Sequence, residues 1–178
     1  MIHRIQPFSA NKNLGKAYND HIKILPENSW ICIQDYDTCF LEHNFYVNML
    51  EYIKQFPNQG IFTCYTNRTL CKEQQYRGQI FDNPDIGHWR KVSIEVHKKP
   101  ISLKDINKEI SGFCMLFNKN VWEKAGGFME REARCLGIDN NFCWSVLEKG
   151  FKIGLMENVF CFHYYRLVEG IKYKEHLK

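Results

Sequence analysis

The sequence predicts an α/β fold: one domain built on a mixed, mostly parallel sheet flanked by helices. Three observations predict it. Strand-like and helix-like runs alternate along the chain. Turn and stop signals separate them, such as Pro57-Asn58-Gln59-Gly60 and Gly126-Gly127. The length of 178 residues, 44% of them hydrophobic, suits one core without staples. No internal repeat, linker or low-complexity segment divides residues 1–178.

The elements follow in order. Ile2 to Gln6 reads as a strand ended by Pro7. Leu14, Ala17, Tyr18, Ile22 and Leu25 recur at helical spacing, with Asn11 or Asn13 as the cap, until Pro26-Glu27-Asn28. Trp30 to Gln34 is a short buried strand that runs into Asp35-Tyr36-Asp37. Phe45, Tyr46, Met49, Leu50, Ile53 and Phe56 mark a second helix, and Ile61 to Thr66 a strand that ends at Asn67-Arg68. From Cys71 to Ile110 the pattern is faint: a helix holding Ile86, Trp89 and Val92 after Asp85, then an irregular or partly helical Pro100 to Lys108. Phe113 to Phe117 is a strand, and Asn118 caps a helix through Trp122 that stops at Gly126-Gly127. A loop from Met129 to Gly137 follows, and Asp139 opens a helix stopped by Gly150. Phe151 to Met156 and Val159 to Phe162 read as strands, with His163 after the second.

Composition narrows the function. A net charge of +4 from 24 basic and 20 acidic residues is too mild for a nucleic-acid protein. It suits an anionic small ligand and is compatible with peripheral contact to an anionic membrane. The basic tail at Lys172, Lys174 and Lys178 reads as a solvated end. The eight Cys show no C-x-x-C spacing, so a zinc knuckle is not expected. Several lie in apolar runs, as small hydrophobes in a reducing cytosol. No apolar run is long enough to span a bilayer, and the first residues lack a signal-peptide core. The expected location is cytoplasmic.

Ligands of open α/β sheets sit beyond the carboxyl ends of strands. Strand order alone therefore places Pro7, Asp35, Asp37, Asn67 and His163 near one rim. Two carboxylates at the end of a buried strand suit a divalent cation with oxygen ligands, although D-x-D after a strand also occurs as a plain turn. Asp139, at a loop-helix junction, can cap its helix or accept a proton as a general base.

In their order, Asp35-Tyr36-Asp37, Ser111-Gly112 with the strand to Phe117, Trp122, Gly126-Gly127-Phe128, Asp139 and His163 resemble the family 2 glycosyltransferases of the GT-A fold. Asn13-Leu14-Gly15-Lys16-Ala17-Tyr18-Asn19 resembles that family's helix after its first nucleotide-binding segment. The resemblance covers Lys12 to Arg166 and implies a Rossmann-like sheet truncated at its N-terminus. It departs from the family in three places: only 34 residues precede Asp35, Ile138 stands where Glu is usual, and Met129 follows Gly126-Gly127-Phe128.

The resemblance implies a metal-dependent inverting transfer of a sugar from a nucleoside diphosphate sugar, with a UDP-sugar as the expected donor, to a hydroxyl acceptor in glycan or polysaccharide biosynthesis. Asp139 would be the catalytic base. Asp35, Asp37 and His163 would hold Mn²⁺ or Mg²⁺. Pro7, Lys12, Asn13, Lys16, Asp35, Ser111 and Gly112 would contact the donor. The alternatives are a non-catalytic nucleotide-sugar-binding module and a nucleotidyltransferase. Against the latter, Ser9 to Gly15 holds one glycine where a phosphate loop would hold several.

Overall fold

The computed structural model describes residues 1–133 and 135–167. The basic tail at Lys172, Lys174 and Lys178 lies outside the described residues. The fold is a mixed α/β sheet with helices on both faces. Its six strands, in spatial order, are β1 (Ile2–Ile5), β2 (Trp30–Gln34), β6 (Cys114–Asn118), β4 (Ile61–Tyr65), β7 (Ile153–Phe160) and β5 (Leu103–Ile106). The helices are α1 (Leu14–Lys23), α2 (Phe45–Gln55), α3 (Ile86–His97), α4 (Lys119–Ala125) and α5 (Ile138–Glu148). A separate two-stranded ribbon pairs β3 (Thr38–Cys39) with β8 (Phe162–His163).

The sheet is not mostly parallel. Only β1–β2 and β4–β7 pair in parallel, while β2–β6, β4–β6 and β5–β7 are antiparallel. Four strands run one way, and β5 and β6 run the other. Alternation of strand and helix implies parallel pairing only when each helix returns the chain to the strands' starting edge. Neither α3 nor the segment 107–113 does so before β5 and β6 begin. The consequence for the site is simple: the ends of β1, β2, β4 and β7 and the start of β6 share one rim.

Two further expectations change. Leu103–Ile106 is an edge strand on β7 rather than an irregular stretch. Its alternation is short and half exposed, which hides it in the sequence. The two strands expected at 151–156 and 159–162 are one strand, Ile153–Phe160, followed by the two-residue β8. A register shift against β4 at Cys64/Tyr65 absorbs the break.

Helix ends obey local chemistry. The Asn13 side chain accepts from the Lys16 N–H and caps α1. Asp85 caps α3 through Gly87 N–H, and Asn118 caps α4 through Asn120 N–H. Gly126 closes α4 with φ of 85°, a left-handed value that favours glycine.

The core has two main halves, one on each sheet face. Ile31, Ile33, Met115 and Phe117 meet α1, α4 and α5 through Tyr18, Ile22, Trp122 and Phe142. Cys32, Phe62, Cys64, Cys114 and Cys161 meet Met49 and Tyr52 of α2 on the other face. This is the alternation of inward side chains that a sheet covered on both faces requires. All eight cysteines are free, and five of them are fully buried as small apolar groups.

Candidate active site

At the rim lies a cleft of about 900 Å³. Its walls come from the loop after β1, the turn after β2, the segment before β6, the loop before α5 and the residues after β8. Pro7, Asp35, Asp37, Ser111, Gly112, Asp139 and His163 all line it. Seven candidates far apart in sequence thus share one cavity, of a size that suits a small organic ligand.

The turn after β2 is tied down through its backbone. Asp35 N–H donates to Phe113 O at 3.0 Å, and the Asp35 carbonyl accepts from Thr38 Oγ1 at 2.7 Å. Gln6 Nε2 also donates to that carbonyl, at 3.3 Å. The chain then enters β3, whose Thr38 lies opposite His163. Tyr164 N–H donates to Asp37 O at 2.8 Å. This ribbon brings the late histidine beside the early aspartates.

Asp35, Asp37 and His163 form the one group of three or more potential metal ligands among the described residues, with ligand atoms within 4.8 Å of one another. His163 Nε2 stands 3.3 Å from Asp37 Oδ1. Its ring is buried and stacks on Phe113 at 5.2 Å, and its Nδ1 has no hydrogen-bond partner. Burial pushes the Asp35 carboxyl up to about 6; His163 opposes that rise, and the Asp37 and Asp139 carboxylates add to it. Two crowded carboxylates stand beside an imidazole whose Nδ1 has no partner. Oxygen and imidazole donors suit Mn²⁺ or Mg²⁺, so the residues present fit a divalent cation.

Asp139 sits in the first turn of α5, where the helix dipole favours a carboxylate. The Gly112 N–H donates to its Oδ2 at 2.8 Å. Burial pushes its carboxyl up, and the bonds from the Gly112 and Asn140 N–H groups oppose that rise. A Cβ on Gly112 would stand 2.7 Å from Asp139 Cβ, so only glycine allows this approach.

Three of the candidates have other employment. Lys12, Asn13 and Lys16 do not line the cleft. Asn13 is a helix cap, Lys16 pairs with Asp20 in solvent, and Lys12 O accepts from Cys135 Sγ. The segment they belong to is architectural. Gly15 lets α1 touch the Met129 carbonyl, and buried Asn19 bonds Trp122 Nε1 and both backbone groups of Phe128. Trp89 is buried in the core against Phe160, and Tyr65 packs on Tyr76.

No protein-family model and no curated protein matches this chain. The site is therefore read from its own geometry. That geometry adds residues that the sequence left unmarked. Lys72, Tyr165 and Arg166 line the cleft, and so do Phe8, Tyr36 and Leu70, three large apolar side chains exposed at its mouth. Exposed apolar groups are common on surfaces, and only their convergence on a shared cavity distinguishes these.

Proposed function

We propose that the chain is a metal-dependent inverting glycosyltransferase of the GT-A type. Its donor is a nucleoside diphosphate sugar, with a UDP-sugar favoured, and its acceptor is a hydroxyl of a glycan or similar molecule. The observation that carries this reading is the pairing, in one cleft, of the Asp35–Asp37–His163 trio with a separately held carboxylate, Asp139.

Asp37, His163 and Asp35 would hold the divalent cation. When bound, that cation supplies neutralisation of the negative charge that develops on a leaving diphosphate. The acceptor oxygen attacks the anomeric carbon as the bond from that carbon to the diphosphate oxygen breaks. The acceptor's proton passes to the Asp139 carboxylate. Gly112 N–H holds that carboxylate in place, and burial makes it a better proton acceptor. The rim bears cations suited to phosphate oxygens, Lys72 and Arg166 among them. Transfer without metal or base is not expected.

Thermal shift with UDP and Mn²⁺, followed by UDP release from a panel of UDP-sugars, tests this. The stabilisation by UDP should require Mn²⁺. Slow UDP release should vanish in Asp139→Asn while the shift persists. Mn²⁺-dependent UDP binding without release from any donor would favour the non-catalytic binding module. No binding would discard the reading.

A further inference from the structure

His163 occupies an unusual place in its short ribbon. The β3–β8 pair is joined next to it by the bond from Tyr164 N–H to Asp37 O. The backbone N–H and C=O of His163 itself turn the other way, where no strand among the described residues pairs with β8. Both end on one side chain, that of Asn67. His163 N–H donates to Asn67 Oδ1 at 2.7 Å, and Asn67 Nδ2 donates to His163 O at 3.0 Å. A primary amide carries donor and acceptor side by side, as a strand's peptide groups do. Asn67 thus stands in for a missing neighbouring strand.

This clasp is fully buried. Asn67 has no exposed surface, and its Oδ1 also accepts from Thr66 Oγ1 at 3.3 Å. The next residue extends it: the buried Arg68 donates through Nε to Tyr165 O at 2.8 Å and through Nη2 to Arg166 O at 3.2 Å. The segment just after β4 therefore grips three of the four residues from His163 to Arg166, and all three line the cleft. A ribbon of two-residue strands is too short to hold a side chain by itself.

We infer that Asn67 is a positioning residue of the cleft: it fixes the backbone of His163 so that the imidazole stays beside Asp37. This rests on the reading of Asp35, Asp37 and His163 as cation ligands. Asn67 touches neither cation nor substrate and acts only through His163. Groups that orient a metal ligand typically contribute ten- to hundredfold to affinity.

The test is Mn²⁺ titration by calorimetry, with thermal midpoints recorded for each protein. Asn67→Ala should weaken Mn²⁺ binding at least tenfold. In a His163→Ala background the same change should weaken it no further, because the side chain it serves is gone. Asn67→Ser, which leaves a hydroxyl where the amide stood, should fold more readily and fall between wild type and Asn67→Ala. A lowered midpoint with unchanged affinity, or an equal loss of affinity in both backgrounds, would overturn the inference. Wild type without Mn²⁺ affinity would instead sink the cation reading itself. A measurement on wild type covers the case in which the variants unfold: Mn²⁺ should slow hydrogen exchange at the His163 amide, whose partner is Asn67. Unchanged exchange on saturation with Mn²⁺ would overturn the inference.

Discussion

The Gly112 N–H points at Asp139 Oδ2 from 2.8 Å, and any residue larger than glycine at 112 would collide with the Asp139 side chain. A carboxylate held by a backbone donor cannot choose its own rotamer. Gly112→Ala puts a methyl group 2.7 Å from Asp139 Cβ and must displace the carboxylate or α5. Overpacking of this kind costs about 1–3 kcal/mol. On the proposed chemistry, misplacing the base by about 1 Å lowers turnover on the order of 100-fold. UDP release and the thermal midpoint measure the two effects. Full turnover in Gly112→Ala would remove Asp139 from the mechanism.

Asp35 should govern part of the pH dependence of stability. Its folded-state pKa is raised to about 6 by burial, above an ordinary value near 3.8. The folded state then binds the proton more tightly than the unfolded chain. This stabilisation is present below about pH 4 and is lost as pH rises through 6. With chelator present, Asp35→Asn should match wild type near pH 4 and exceed it by about 1–3 kcal/mol at pH 7.5. Melting curves across pH check this; parallel profiles for the two proteins would refute it.

Asn19 should be among the most sensitive buried polar positions. Its Oδ1 accepts from Trp122 Nε1 at 3.0 Å and Phe128 N at 2.9 Å, and its Nδ2 donates to Phe128 O at 2.8 Å. Asn19→Ala leaves these groups buried without partners. A loss of about 2–4 kcal/mol in urea unfolding is expected. Mn²⁺ affinity should change little, because Asn19 is not a lining residue of the cleft.

Arg68 separates charge from geometry. Its guanidinium, 1% exposed, reaches the carbonyls of Phe81, Tyr165 and Arg166 and the Asp82 carboxylate. Lysine keeps the charge but lacks the planar fork. Arg68→Lys should therefore destabilise by about 2 kcal/mol or more, and Arg68→Met by about 3–5 kcal/mol. Near wild-type stability in Arg68→Lys would mean that charge alone suffices.

Much of the site was legible because strand ends are. A buried run such as Trp30 to Gln34 announces its own end, and the next residues must stand at a sheet edge. Asp35, Asp37, Pro7 and His163 fell on one rim by that logic. Asp139 and Gly112 were legible as a helix start and a glycine, but not as neighbours; that contact depends on how α5 docks. Lys12, Asn13 and Lys16 lie outside the cleft lining; a helix cap and a phosphate contact use the same residue types, so sequence alone does not separate them. Strand direction was lost at β6, since periodicity reports which residues face inward and says nothing about which way the chain runs, and β5 was not legible as a strand at all. The mouth of the cleft was invisible for a related reason: exposed Phe8 and Leu70 carry no pattern until the fold brings them together.

The central position of β6 carries one more consequence, for the order of assembly. Residues 114–118 must insert between β2 and β4 before the sheet is continuous. The clasp between Asn67 and His163 closes a separation of 96 residues. Such non-local closures are slow. During synthesis, β1, β2 and β4 emerge long before the strand that joins β2 to β4, and their apolar edges wait unpaired. The cleft is therefore a late product of folding, and conditions that trap early collapsed chains should cost this protein its cleft before they cost it its helices.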